Sequence, residues 1–514
     1  MQDILNLIEI ARKKGQRSIQ LVNQNFRKKE ISKDNQLYEG IINGEFLTDD
    51  QAAKEMFDAD PGNRNYRNAK GKLRQKLLNH LYFLDYDKDS YTQYEKVRYE
   101  CLHQLHQCEI LFHEGAADLS HRMLPGLVKT AKEFELVDIV VRALTLIRNE
   151  YAQQGKTSAY LEANEELASY REFQKVVEEC EEQYHQALVY INKSLSAQQE
   201  VLEDIPFTIQ HISQRASEYN STYLQVLSSR LALIHNKLVW NYEENVALCT
   251  ELENKYLSQP NHEVTVPLQK GEIAFEKMNG YLYLEQIDEG KAYAEASWDL
   301  YKNGSQDWFT FGEYYFLLLM KGECFEDATE IYRKVRTNKN YNQLTEDEQD
   351  RWQIYRAYLL YFNDTKLLRW GFDTDEFIQT MPDYPRELTG YNIAMLVVQF
   401  MFLFRDGDVE TIREKLEELS KYNSVHLDKR HNYRNSIFIR LLMIIIEKNF
   451  DYQAVFEKGQ NYQKKLKRTK IPVDRFMDME VIPYERMWLH VMDTLKSNKR
   501  YVHYRFYNTN TQAG

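Results

Sequence analysis

Five residues that commonly hold metals crowd into thirteen positions of CLHQLHQCEILFHEG: Cys101, His103, His106, Cys108 and His113, with His121 soon after. A metal needs ligands that converge on one point. On a helix, Cys101, Leu105, Cys108 and Phe112 share one apolar face, so the thiols read as small core residues. His103 and His106, one turn apart, form a chelating pair beside Glu109. His113 stands two turns from His106, roughly 10 Å, too far to join the same ion. No CxxC or HExxH spacing occurs anywhere, and the expectation is neither metal nor cofactor. A second candidate, DYDKDSYTQYEK, opens like a calcium loop, with Asp85, Asp87 and Asp89 alternating. Ser90 stands where such a loop needs glycine, and Glu95 falls one residue early for the closing acid. Ser90 with Gln93 reads instead as a capping box, with the acids complementing a helix N-terminus.

Two sparser patterns point to chemistry. Glu182 and His185 have the E-x-x-H spacing of di-iron bundles, which need a second copy and two further carboxylates; no second copy is present, and the pair reads as a solvated acidic face. Arg98 and His103 form an R-x4-H pair that resembles the core motif of HEPN-type helical ribonucleases, with Tyr99 where a polar residue is usual. The resemblance implies RNA cleavage through those two residues, but a lone pair has no stated base, stabiliser or water-excluding pocket. No GxxxxGK[ST], GxGxxG or GxSxG occurs. No catalytic residue is therefore expected.

Composition indicates the elements that must position these side chains. With 514 residues, several domains or a repeat array are required. Only 19 Gly and 9 Pro punctuate the chain, so helices with short connections are expected, and 37 Tyr suit helices packed on helices. Five cysteines, mostly far apart, imply no disulfide framework and fit a reducing compartment. The N-terminus carries Asp3 and Glu9 where a signal peptide is basic and then apolar. The longest apolar run, IAMLVVQFMFLF at 393–404, is too short for the ~20 residues of a bilayer span. These features predict a soluble, cytoplasmic protein with no membrane contact.

Charge is uneven: residues 1–80 hold 15 Lys+Arg against 11 Asp+Glu, within a chain of net charge −12. Ile4, Ile8, Ala11, Gly15, Ile19, Val22 and Phe26 trace a first helix. Thr48 with Gln51 predicts a capped helix from Asp49, and DADPGN is turn chemistry. A helix then starts near Arg64, and its buried stripe is Tyr66, Ala69, Leu73, Leu77, Leu81 and Leu84. Arg67, Lys70 and Arg74 flank that stripe on one side, Lys72 and Lys76 on the other. Their stems can cover apolar surface while the charges stay wet. The outline also resembles a helix-turn-helix, or the winged module that precedes tetratricopeptide-like domains in some bacterial regulators. That resemblance makes Arg64, Arg67, Lys70 and Arg74 candidate DNA contacts.

In the second half a short motif recurs. QIDEGKAYAEAS places Ile287, Gly290, Ala294 and Ser297 at steps of three, four and three. CFEDATEIYRKV repeats this with Phe325, Ala328, Tyr332 and Val335; DVETIREKLEEL with Val409, Ile412, Leu416 and Leu419; DYQAVFEKGQNY with Tyr452, Val455, Gly459 and Tyr462. NYEENVALCTEL is a poorer copy, with Asn245 where a small or apolar residue belongs, and residues 351–371 fill the double-length gap. Over roughly residues 230–465 this resembles the tetratricopeptide (TPR) superfamily, which implies stacked antiparallel helix pairs and a partner-binding concave side.

The expected fold class is thus all-α: a TPR-like solenoid over 230–496, a helical region with long helices over 89–229, a small helical module over 1–88 and a tail over 497–514. The expected function is non-catalytic binding of a protein or peptide partner, with DNA and self-association as further possibilities. The tail, KRYVHYRFYNTNTQAG, alternates aromatic and basic residues and reads as a packed segment with a frayed end.

Overall fold

The computed structural model describes Ile4, Ile8 and residues 32–46, 48–81, 92–193, 195–257, 267–380, 389–426, 433–469, 480–498 and 501. The rest of the first helical stripe, the Asp85–Ser90 run, Leu84 and the tail beyond 501 lie outside these residues. Among the described residues the chain is helical, with no strand. It forms two compact units: one of residues 1–186, 210–227 and 261–267, the other of 187–209, 228–260 and 268–514.

The first unit begins with α1 (Lys33–Ile42), α2 (Asp49–Phe57) and α3 (Arg64–His80). They enclose their own core, which includes Leu37, Ile41, Phe46, Ala52, Tyr66, Leu73 and Leu77. The expected capping box is present: Thr48 Oγ1 accepts from Gln51 N (3.2 Å) and Gln51 Oε1 from Thr48 N (3.2 Å). Asn63 caps α3, accepting from Asn65 N (2.8 Å). A second core lies under α4 (Gln93–His113), α5 (Ala117–Glu133) and α6 (Val137–Gln153), and takes in Ala163 and Leu167 of α7 (Thr157–Lys193). Helix α7 runs unbroken for 37 residues, one of the long helices expected over 89–229. One expectation is corrected here. The box that opens α4 is Thr92 with Glu95, because Glu95 Oε2 accepts from both Thr92 N (2.8 Å) and Thr92 Oγ1 (2.9 Å).

Helices α8 (Leu195–Val201), α9 (Ile205–Glu218) and α10 (Thr222–Leu238) follow, with residues 210–227 of α9 and α10 in the first unit, and the second unit continues through α11 (Tyr242–Leu252), α12 (Lys270–Leu284) and α13 (Ile287–Ser297). It then runs through α14 (Gln306–Lys321), α15 (Phe325–Arg336), α16 (Glu346–Phe362), α17 (Lys366–Arg369) and α18 (Thr374–Gln379). The last helices are α19 (Thr389–Asp406), α20 (Val409–His426), α21 (Tyr433–Glu447), α22 (Tyr452–Arg468) and α23 (Tyr484–Ser497). Sequential helices pack in adjacent pairs. Each motif copy starts a second helix at its first residue: Ile287, Phe325, Val409 and Tyr452. Gly290, Ala294, Ala328, Tyr332, Ile412, Leu416, Val455 and Gly459 are all buried. Gly290 is needed for close approach, since a Cβ there would lie 2.6 Å from Leu318 Cδ2. The gap pair has a long first helix, α16, but its second is broken into α17 and α18. Arg356 braces the break by donating to Leu368 O (2.8 Å) and Trp370 O.

One turn device recurs. Gly115, Glu135, Gly155, Asn220, Trp240, Glu285 and Glu323 have positive φ. Each is followed by an N–H that reaches the carbonyl five residues back: Ala116 to Leu111, Leu136 to Ala131, Lys156 to Tyr151, Ser221 to Ala216, Asn241 to Asn236, Gln286 to Tyr281 and Cys324 to Leu319, at 2.8–3.1 Å. This left-handed stop ends one helix and starts the next within a few residues, so the chain doubles back at once.

Candidate functional site

Helix α3 carries six cations and no acid. Its buried side is Tyr66, Ala69, Leu73 and Leu77, as expected, with Leu81 half-buried. The flanking cations do not act alike. Lys70 Nζ lies 2.8 Å from Asp49 Oδ1 at the start of α2, and the Tyr66 hydroxyl donates to the same oxygen. Lys76 Nζ pairs with the buried Asp34 of α1 at 2.5 Å. These two lysines hold α3 against its neighbours. Arg64, Arg67, Lys72 and Arg74 are exposed. So are Asn68, Gly71, Gln75 and Asn79, which lie with Arg64 on the side away from the core. Among the described residues, nothing outside its own helix lies within 4 Å of where a Gly71 Cβ would sit. A glycine inside a helix costs about 1 kcal/mol relative to alanine, and no described neighbour requires this one.

Asp49 makes the module acid-sensitive. Burial pushes its carboxyl up, but the bonds from Lys70 and Tyr66 outweigh that and hold it well below the usual range. An unfolded-state carboxyl titrates near pH 4, so the Asp49 contribution is complete above that pH. It is lost as pH falls through the depressed folded value. Asp49→Asn is therefore expected to weaken the module at pH 7 and to shrink its loss of stability between about pH 5 and 2. Circular dichroism melts across that pH range check this.

The other residues raised by the sequence go elsewhere. Cys101 and Cys108 are buried on α4, and burial pushes the Cys101 thiol up to about 11. His103 is half-buried and His106 exposed; His106 Nδ1 lies 4.0 Å from Glu109 Oε2. His121 turns instead to the buried Glu150 of α6, with Nδ1 3.1 Å from Oε2. Among the described residues no group of three or more His, Cys, Asp or Glu is placed to hold a metal. Arg98 reaches across to Asp138 of α6 (3.5 Å). On α7, Glu181 accepts from the Tyr223 hydroxyl, and Glu179 lies 3.7 Å from His211. Glu95, the would-be calcium ligand, is engaged by its own helix cap.

A residue not picked out from sequence organises a cleft in the first unit. This cleft, of about 310 Å³, is lined by Lys132, Glu135, Tyr170, Phe173, Tyr219 and Thr222 among others. Glu135 occupies a left-handed turn (φ 49°), and its carboxylate caps α10 from a distance. It accepts from Ser221 Oγ (2.6 Å), Thr222 N (2.8 Å) and Tyr223 N (3.2 Å). Phe173 and Tyr219 stack on one wall, 5.1 Å apart. Glu135→Ala leaves the start of α10 without this cap and is expected to cost about 1–2 kcal/mol. Hydrogen exchange of the Thr222 and Tyr223 amides, together with urea unfolding, measures it.

Two buried polar knots lie in the second unit. Glu313 accepts from Arg351 Nε (3.1 Å) and from Tyr355 Oη (2.6 Å), all buried. Arg434 donates to Glu480, Glu485, Leu466 O and Thr469 O. The apolar run at 393–404 is wholly buried in α19. Its one polar residue, Gln399, donates to Phe377 O (2.7 Å) and Thr380 O (2.9 Å) and accepts from Lys415 Nζ (3.1 Å). No helix among the described residues is long and apolar enough to cross a membrane.

Helix α23 is placed unlike the others. It packs on α19, α21 and α22. Arg486 donates to Lys321 O, and His490 meets the Phe362 ring edge-on at 4.8 Å. Just beyond the helix, Asn498 donates to Arg405 O (2.9 Å), and Tyr501 donates to Phe404 O. It therefore touches the C-terminal ends of α14, α16 and α19, three successive first helices. Met487, Trp488, Val491 and Leu495 are buried.

The chain matches no protein-family model, no curated protein and no solved structure. The class of protein rests on the helices themselves: this is an all-α protein of adjacent helix pairs, consistent with a helical-repeat fold.

Proposed function

We propose that this chain is a non-catalytic, TPR-like repeat protein whose second unit binds a helical segment of a protein partner. One observation carries the reading: α19, α21 and α22, with the ends of α14 and α16 beside them, form a seat that holds a helix, here the chain's own α23. A helix laid across several pairs is gripped by side chains that no single pair supplies, and this is how repeat proteins gather affinity from shallow contacts. The seat supplies both kinds of contact a partner helix needs. It has an apolar strip for residues one turn apart, and carbonyls and Glu323 at the rim for cationic side chains such as Arg486.

The test removes the occupant and returns it. A chain ending at Thr469 is titrated with a labelled synthetic peptide of residues 480–501. Micromolar binding is expected, and a peptide with Trp488 and Val491 changed to Asp should not bind. If the shortened chain is folded by circular dichroism yet takes up neither its own helix nor any other amphipathic helix, the seat is not a binding surface and the reading fails.

A further inference from the structure

We propose that the three-helix module of the first unit binds duplex DNA, with the outward face of α3 laid in the major groove. This is independent of the partner-binding reading of the second unit. Charge selects a polyanion: α3 is a run of six cations in a chain of net charge −12. The structure then sorts those cations. Lys70 and Lys76 are engaged by Asp49 and Asp34, while Arg64, Arg67 and Lys72 stand exposed.

Side-chain chemistry selects bases over a bare phosphate surface. Asn68, Gln75 and Asn79 present planar amides along the exposed face, in line with Arg64, at the four- and three-residue steps that keep one side of a helix. Asparagine and glutamine match the paired donor and acceptor of adenine in the major groove, and arginine matches the two acceptors of guanine. The amides are already oriented as a row, since Gln75 Nε2 donates to Asn79 Oδ1 (3.0 Å). Gly71 sits in the middle of that row with open space before it. A bare backbone there lets another surface approach closely, and no described residue uses that space. Arg64 and Arg67 lie in the first turn of the helix, where the positive end of its dipole adds to their attraction for phosphate. Duplex RNA is the poorer fit, because its major groove is too narrow for a helix.

With Arg64, Arg67 and Lys72 counted as three phosphate contacts, the affinity should fall roughly forty-fold between 50 and 200 mM salt. The experiment is fluorescence anisotropy of the full chain with a labelled 30-base-pair DNA duplex of mixed sequence, at both salt concentrations. Binding at 50 mM that collapses at 200 mM is expected. Arg67→Glu with Lys72→Glu should weaken it at least tenfold and flatten the salt dependence. Gly71→Leu should also weaken it at least tenfold while raising the melting temperature of the module, a combination that a purely structural glycine does not produce. The proposal is overturned if the unaltered chain does not bind at 50 mM salt or if Gly71→Leu binds as tightly. It is equally overturned if an RNA duplex or an acidic peptide competes better than the DNA.

Discussion

Replacing Glu480 with alanine is expected to lower the stability of the second unit by about 3–5 kcal/mol. Arg434 and Glu480 are 3% and 5% exposed, so the guanidinium has no water to turn to. All five of its N–H groups are occupied: Nε and Nη2 by Glu480 (2.5 and 2.9 Å), Nη2 also by Glu485 (2.8 Å), and Nη1 by Leu466 O (2.8 Å) and Thr469 O (2.7 Å). Removing the carboxylate strands a buried cation with only the half-exposed Glu485 to balance it. The pair itself adds little net stability, because removing two charges from water nearly offsets their attraction. The double change Arg434→Met with Glu480→Leu should therefore cost less than the two single changes together. The two carbonyls it orphans keep it from being neutral. Urea unfolding followed by hydrogen exchange over residues 433–498 distinguishes these outcomes. A loss under about 1 kcal/mol for Glu480→Ala would show that the knot is dispensable.

Trp488→Ala is expected to have a comparable effect through a different cause. Trp488 is 2% exposed and fills the space left by Gly459, where a Cβ would come within 3.1 Å of its ring. Deleting so large a side chain removes its burial and leaves a cavity that rigid helices cannot close, a loss of about 3–5 kcal/mol. Because Trp488 packs on α22 at Gly459, while α23 meets α14 and α16 only through Arg486 and His490 among the contacts described, much of that loss should appear as release of α23. Amides of residues 484–497 should then exchange far faster than those of α14. Uniform acceleration throughout the unit would mean instead that Trp488 supports the whole core.

Much of this fold was legible because helical periodicity is a local property. The Ile287, Phe325, Val409 and Tyr452 copies each begin a helix at the residue the spacing indicates, and Thr48 with Gln51 opens α2 as read. The turns were harder. Of the left-handed stops that share one hydrogen-bond pattern, those at Gly44, Gly115 and Gly155 carry the glycine that marks such a turn, and the others do not. At Glu135, Trp240, Glu285 and Glu323 the packing of the two helices holds a costly backbone, and no residue type announces it. The start of α4 was misplaced by two residues because two overlapping boxes, Ser90–Gln93 and Thr92–Glu95, compete. A glutamate accepts from the cap more strongly than a glutamine.

The amino-acid order by itself determined that the fold is all-α, where most helices begin, and which sides of α3, α13, α15, α20 and α22 turn inward. Each of these follows from the steps between apolar residues a few positions apart. Only the tertiary structure decided which charges are engaged. Lys70 and Arg67 look alike on α3, yet one meets Asp49 from twenty-one residues away and the other faces water. It also decided that Glu135 caps a helix more than eighty residues downstream, and that α23 returns to α14, α16 and α19. Ion pairs and helix seats depend on distances between segments far apart along the chain, and those distances exist only once the core has closed.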